Sequence, residues 1–142
     1  DPLPVILVSS LNLKVFDALA AGAVDFVRKP DGTESKQSFL DSLAQKIVVA
    51  SCAKVRRRAA VSPAAPLSVL RLSRRLGGRS DLDRTIIGLG ASTGGTEATL
   101  EVLKRLPADI PGMVIVQHMP VGFTKMYAER LNRLCRMEVG RR

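Results

Sequence analysis

The sequence has one histidine, one tyrosine, two cysteines and four methionines, with none of the methionines before Met113. Each scarcity removes a class of explanation. Cys52 and Cys135 stand far apart without metal-ligand spacing, so they read as reduced thiols, and neither a disulfide framework nor a zinc site is expected. No apolar run approaches the roughly 18 residues a membrane span needs, so membrane insertion is not expected. The N-terminus lacks the basic region and apolar stretch of a signal peptide, and the two thiols read as reduced make the cytoplasm the expected location. Because the chain opens on Asp1 with no earlier methionine, a fragment of a longer protein is expected.

What is present is the composition of a soluble globular protein, 46% hydrophobic and 25% charged. A length of 142 residues suits one ordinary domain and is too short for two complete α/β domains. The net charge of +9 is uneven: residues 51–84 hold nine Lys and Arg against two Asp. These arginines are set among alanines, serines, Pro63, Pro66 and Gly77-Gly78, the mixture of an interdomain linker, which we assign to 52–83. An arginine-rich segment can also hold nucleic acid through phosphates. Against that use, the one tyrosine is far away at Tyr127 and no groove-reading motif accompanies the arginines. The solvated linker is the preferred reading, and the nucleic-acid contact is the alternative.

Ahead of the linker, Pro4 to Ser10 reads as a buried strand, and Leu13, Phe16, Leu19 and Ala20 mark a helix closed near Gly22. Ala23 to Arg28 reads as a second strand. Phe39, Leu40, Leu43, Ile47 and Val48 then put apolar groups on one helical face, with Ser38 as the expected N-cap. Strand, helix, strand implies parallel strands and a right-handed crossover. Functional residues of such sheets lie at the carboxyl ends of the strands, here Ser9, Ser10 and Lys29.

Behind the linker, Thr85 to Gly90 reads as a strand delivering Gly90-Ala91-Ser92-Thr93-Gly94. Three readings of this turn compete. It fits G-x-S-x-G, which presents a serine hydroxyl at a strand end. Gly88, Gly90 and Gly94 also give a glycine spacing one residue longer than the dinucleotide fingerprint. Alternatively it is a plain strand-to-helix turn with Ser92 or Thr93 as helix cap. A helix over Thr96 to Leu106, stopped by Pro107, and a strand from Gly112 follow. That strand ends at His118, the only histidine. Phe123, Tyr127, Leu131 and Leu134 mark a last helix, and Arg136 to Val139 is a candidate further strand. Neighbouring parallel strands would bring Ser92 and His118 to one sheet edge, within reach of a serine–histidine pair. A dinucleotide site would instead need an acidic group where Gln117-His118 stands.

Two families resemble these segments. Val8-Ser9-Ser10 followed by Gly22 to Pro30 is similar to the second half of a response-regulator receiver domain, although the stretch between Ser10 and Gly22 is a few residues short. That resemblance implies that Ser9 and Lys29 contact a phosphoryl group on an aspartate, and it suggests a cis peptide before Pro30. It places the phospho-accepting aspartate, and the ligands of the magnesium ion expected for phosphorylation, upstream of Asp1. Gly88 to Ala98, Val116 to Pro120 and Gly122-Phe123-Thr124 resemble the opening of the chemotaxis protein-glutamate methylesterase catalytic domain. The order receiver, linker, esterase is that family's. The expected fold class is therefore α/β, with two doubly wound parallel-sheet domains, both incomplete. Residues 1–51 would be the receiver part, 52–83 the linker and 84–142 the catalytic part.

The methylesterase resemblance implies Ser92 as nucleophile, His118 as base, and backbone N–H groups near Ser92 and Thr93 as oxyanion donors, with Thr93 supporting the site. It implies no catalytic metal or cofactor. The implied substrates are methyl-accepting chemotaxis receptors, whose glutamines some relatives also deamidate, and the implied phosphodonor is a chemotaxis histidine kinase. The aspartate that orients the histidine is expected downstream of Arg142, since Asp81, Asp83 and Asp109 precede the strands and Glu97 lies on the following helix. The 142 residues alone are then expected to be inactive or very weak. The competing reading is a non-enzymatic, phosphorylation-controlled response regulator whose basic segment binds nucleic acid.

Overall fold

In the computed structural model the described residues are 3–10, 14–32, 34–55, 82–120 and 122–141. Strands and helices alternate along them: β1 (Ile6–Ser9), α1 (Val15–Ala20), β2 (Asp25–Arg28), α2 (Lys36–Ser51), β3 (Ile86–Ala91), α3 (Gly95–Leu103), β4 (Gly112–Gln117) and α4 (Phe123–Leu134). The chain divides into two compact units, Asp1–Val61 and Ser62–Arg142. The basic stretch from Arg56 to Asp81, the core of the expected linker, lies outside the described residues.

In the first unit β1 and β2 pair in parallel, Ile6 opposite Asp25 and Ser9 opposite Arg28. The short helix α1 crosses between them and buries Val15, Phe16 and Leu19. From β2, Phe26 and Val27 are buried beside it. Asp25 would be costly to bury alone, and its carboxylate accepts a 2.9 Å bond from Lys46 of α2. The same ammonium donates to the Phe26 carbonyl at 3.0 Å and stands 5.5 Å from the centre of the Phe26 ring. One lysine thus holds α2 to the second strand.

Three expectations for this unit need correction. Ser35, not Ser38, caps α2: its hydroxyl accepts the Ser38 N–H at 3.1 Å, the bond that satisfies one orphan donor of the first turn. The apolar face of α2 is largely uncovered, with Leu40, Ile47 and Val48 at 43%, 52% and 65% exposure. The reason is size, because a helix of 16 residues is about 24 Å long, whereas two strands of four residues offer a platform only about 13 Å long. No cis peptide bond occurs among the described residues, so Lys29–Pro30 takes the trans form that X–Pro bonds favour by about 0.5–1 kcal/mol.

In the second unit β3 and β4 pair in parallel over six residues, from Ile86 opposite Gly112 to Ala91 opposite Gln117. The period of two sorts their side chains. Ile87, Leu89, Ala91, Met113, Ile115 and Gln117 are half-buried, while Ile86, Val114 and Val116 on the other face are 75%, 57% and 66% exposed. Helix α3 packs on β3 and on α4. Their shared core is Leu100, Leu103, Phe123, Tyr127 and Leu131, each at most 5% exposed. Burial of each such side chain is worth about 1.5–3 kcal/mol.

Helix α3 stops at Leu103, three residues earlier than Leu106. Arg105 and Leu106 instead donate to Val102 and Leu103, the tighter i to i−3 bonds that close a helix whose next residue is a proline. Leu134, in the final turn of α4, is 41% exposed. No strand forms over 136–141; there the Val139 N–H bonds the Asn132 side chain at 2.8 Å.

Candidate active site

The last paired couple of the second sheet is Ala91 and Gln117, and the His118 N–H continues the ladder to the Ala91 carbonyl at 3.2 Å. Ser92 and His118 are therefore the next residues out on neighbouring parallel strands, whose backbones run about 5 Å apart. Both are exposed. The topology brings to one sheet end the two residue types that the sequence reading selected.

The turn after Ser92 is tight. Gly95 donates its N–H to the Ser92 carbonyl at 2.7 Å, and Gly94 sits at the N-cap with φ of 75°, a left-handed conformation that side chains resist. Neither Ser92 nor Thr93 caps α3 through its side chain, so the capping reading of this turn is corrected. The Ser92 hydroxyl is not spent on holding the helix. The dinucleotide reading also loses its loop, because Gly88 and Gly90 are strand residues paired with Val114 and Val116.

The first turn of α3 is tied to α4 by two contacts. The Arg130 guanidinium meets the Glu97 carboxylate at 2.5 Å, with side chains only 9% and 22% exposed. The Tyr127 hydroxyl donates to the Thr96 carbonyl at 3.1 Å. Burial pushes the Tyr127 phenol up to about 12, because the anion would lose its hydration. Glu97 is committed to Arg130, which removes it as an orienting carboxylate for His118. Asp109 belongs to the connection entering β4, at the strand's opposite end from His118.

Sequence reasoning missed Gln117. Its Nε2 donates to the Ser92 carbonyl at 2.9 Å and to the His118 carbonyl at 3.1 Å, while its Oε1 is buried without a partner among the described residues. A signal was available: in a run of apolar residues, Gln117 falls on the same inward parity as Met113 and Ile115. A cavity of about 480 Å³ opens beside β4 and is lined by Met113, Ile115, Gln117, Met119, Thr124 and Tyr127 among others. Neither Ser92 nor His118 lines it.

In the first unit Ser9 pairs with Arg28, and the Lys29 N–H bonds the Ser9 carbonyl at 3.0 Å. Ser9 and Lys29 thus also share one sheet end, with Lys29 exposed. Among the described residues no group of three or more His, Cys, Asp or Glu side chains could hold a metal ion. No described helix is long and apolar enough to cross a membrane. Arg56 to Arg58, which the nucleic-acid alternative needs, lie outside the described residues.

Comparison with known proteins bears on the same region. Residues 87–141 match the CheB methylesterase family. Over 141 residues, 97% of the chain, it is 50% identical to a protein named protein-glutamate methylesterase/protein-glutamine glutaminase 2 from Syntrophomonas wolfei, covering 38% of that protein. It is 47% identical over 144 residues to a protein-glutamate methylesterase/protein-glutamine glutaminase of Syntrophotalea carbinolica, covering 40% of it. A Pseudomonas aeruginosa relative with the first of these names is 46% identical, again over 97% of the chain and 39% of its own length. The chain spans about two fifths of the curated relatives it matches. Residues 87–141 thus fall within the CheB methylesterase family, and over the residues it spans the chain is similar to proteins named protein-glutamate methylesterase/protein-glutamine glutaminase.

Proposed function

We propose that the chain is part of a chemotaxis protein-glutamate methylesterase in which Ser92 is the nucleophile and His118 the general base. The observation that carries this reading is the pairing of Ala91 with Gln117, which sets Ser92 and His118 side by side at one end of a parallel sheet. The names of the relatives supply the substrate class.

In the proposed reaction the Ser92 Oγ attacks the carbonyl carbon of a receptor glutamyl methyl ester as His118 takes its proton. The Thr93 N–H, in the turn before α3, faces the developing oxyanion. A donor of this kind is typically worth ~3 kcal/mol of barrier. Collapse of the intermediate breaks the bond to methoxide, which leaves as methanol with the proton from His118. Water, deprotonated by His118, then hydrolyses the glutamyl ester and regenerates Ser92. The same route on a glutamine side chain releases ammonia, giving deamidation. The aspartate that orients His118 is supplied from beyond the 142 residues.

Regulation is proposed to come from the first unit, through phosphorylation by a chemotaxis histidine kinase read by Ser9 and Lys29. Their shared sheet end supports this, since a hydroxyl and an ammonium can converge there on phosphoryl oxygens. The test uses the full-length protein with methylated receptors. Methanol release and labelling by a serine-directed fluorophosphonate are expected, both lost in Ser92→Ala and strongly reduced in His118→Ala. Full activity in Ser92→Ala would overturn the assignment. Salt-sensitive DNA binding lost on mutating Arg56 to Arg58, with no labelling, would favour the non-enzymatic alternative.

A further inference from the structure

We propose that Gln117 is a positioning residue for this chemistry: its side-chain amide clamps the two strand ends so that the Thr93 N–H and His118 are held ready. The inference rests on the assignment of Ser92 and His118 above. Four observations converge on it.

The amide orientation is dictated by its neighbours. Both groups facing the Gln117 side chain are backbone carbonyls, of Ser92 at 2.9 Å and of His118 at 3.1 Å, and only the NH2 end can donate to them. One side chain of β4 therefore bridges the residue that follows β3 and the residue that follows β4. Backbone pairing does not do this, since the ladder ends with the bond from His118 N–H to the Ala91 carbonyl.

The bond to Ser92 has a consequence for the next peptide group. In a trans peptide the C=O and the following N–H point in opposite directions. The Ser92 carbonyl is held toward Gln117 and toward Gly95, whose N–H it also accepts at 2.7 Å. The Thr93 N–H is thereby turned to the opposite side, and it has no hydrogen-bond partner among the described residues. A fixed, unspent N–H on the residue after the nucleophile is what an oxyanion donor requires.

The amide is also badly placed for a purely structural purpose. Its Oε1 is buried without a partner among the described residues, a cost that an apolar side chain of similar size would avoid. Finally, the surroundings are shaped to the amide. A β-carbon at Gly95 would overlap Gln117 Oε1 and come within 2.6 Å of the Ala91 β-carbon, so the start of α3 accommodates the clamp only as glycine.

The experiment measures fluorophosphonate labelling in the full-length protein, separating the maximal rate kinact from the reversible constant KI, alongside thermal unfolding. Gln117→Met keeps the bulk and removes both donated bonds. The expected result is a folded protein with KI within twofold of the parent and kinact lowered about 10- to 100-fold, part of the roughly 100- to 1,000-fold cost of deleting an oxyanion donor outright. Gln117→Glu, which sets a carboxylate against two carbonyls, is expected to lower kinact further. Parent-like kinact in either folded variant overturns the positioning role. A change in KI alone, or failure of both variants to fold, also overturns it by reducing Gln117 to substrate contact or scaffold. The parent and Ser92→Ala separate the two ideas. If Ser92 is not labelled in the parent, the nucleophile assignment fails; if it is labelled and the Gln117 variants match it, only the clamp fails.

Discussion

Removing Arg130 tests how the helix after the serine is held to the helix after the histidine. Arg130→Met keeps the aliphatic stem and deletes the guanidinium, leaving Glu97 with its carboxylate 22% exposed and unpaired. Two unit charges about 4 Å apart attract by roughly 4 kcal/mol at an effective dielectric of about 20. Both ions give up hydration to make the pair, so the net value of the bridge is smaller than that attraction. Breaking one side of a buried pair typically costs about 3–5 kcal/mol, because the remaining charge is stranded. Glu97 keeps some contact with water, which puts the expectation at the low end, about 3 kcal/mol, or roughly 150-fold in the folding equilibrium. The assay is urea unfolding of the parent, both single variants and Glu97→Gln/Arg130→Met. The double variant should recover much of the loss, giving a coupling energy of about 1–2 kcal/mol or more. A loss under 1 kcal/mol in Arg130→Met with no coupling would show that the pair behaves as a surface bridge and does not tie α3 to α4.

Tyr127 is the only tyrosine of the sequence, so its ionisation can be followed at 295 nm in the 142-residue chain without interference. Its phenol is expected to titrate near 12 in the folded state. Because the folded value is raised, the contribution to stability is complete below pH 10 and is lost as pH rises from about 10 to about 12; Tyr127→Phe should flatten that loss. Leu103→Ala, at a fully buried site, should cost about 2–5 kcal/mol in denaturant unfolding. Gly95→Ala should cost about 1–3 kcal/mol through overpacking, and lower Ser92 labelling at the same time, because the new methyl overlaps Gln117 and Ala91. Wild-type stability in Gly95→Ala would refute the close packing of that turn.

That Ser92 and His118 follow neighbouring strand ends was legible in the sequence because it depends on features that are local in it. A β-branched run ending in a glycine-bracketed serine, and a second run ending in the only histidine, each announce a strand and its carboxyl end. One crossover helix between them then forces the two ends to the same side. The helical core was legible for the same kind of reason, since Leu100, Leu103, Phe123, Tyr127 and Leu131 recur at helical spacing. Spacing misjudged Leu40, Ile47, Val48 and Leu134, because an apolar stripe says which face of a helix is apolar and not how much partner surface is there to cover it.

Alternation of elements and the strand ends that Ser92 and His118 follow were thus determined by the sequence alone, through hydrophobic periodicity and the backbone preferences of glycine and proline. Tertiary structure decided what depends on atoms brought together from distant segments. Ser35 displaced Ser38 as cap because its hydroxyl reached the Ser38 N–H. Glu97 was claimed by Arg130, 33 residues away, and Gln117 found the carbonyl of Ser92, 25 residues away. Those partnerships follow from the register of β3 with β4 and from the packing of α3 on α4, and a shift of one residue in that register would turn Gln117 to the opposite face of the sheet.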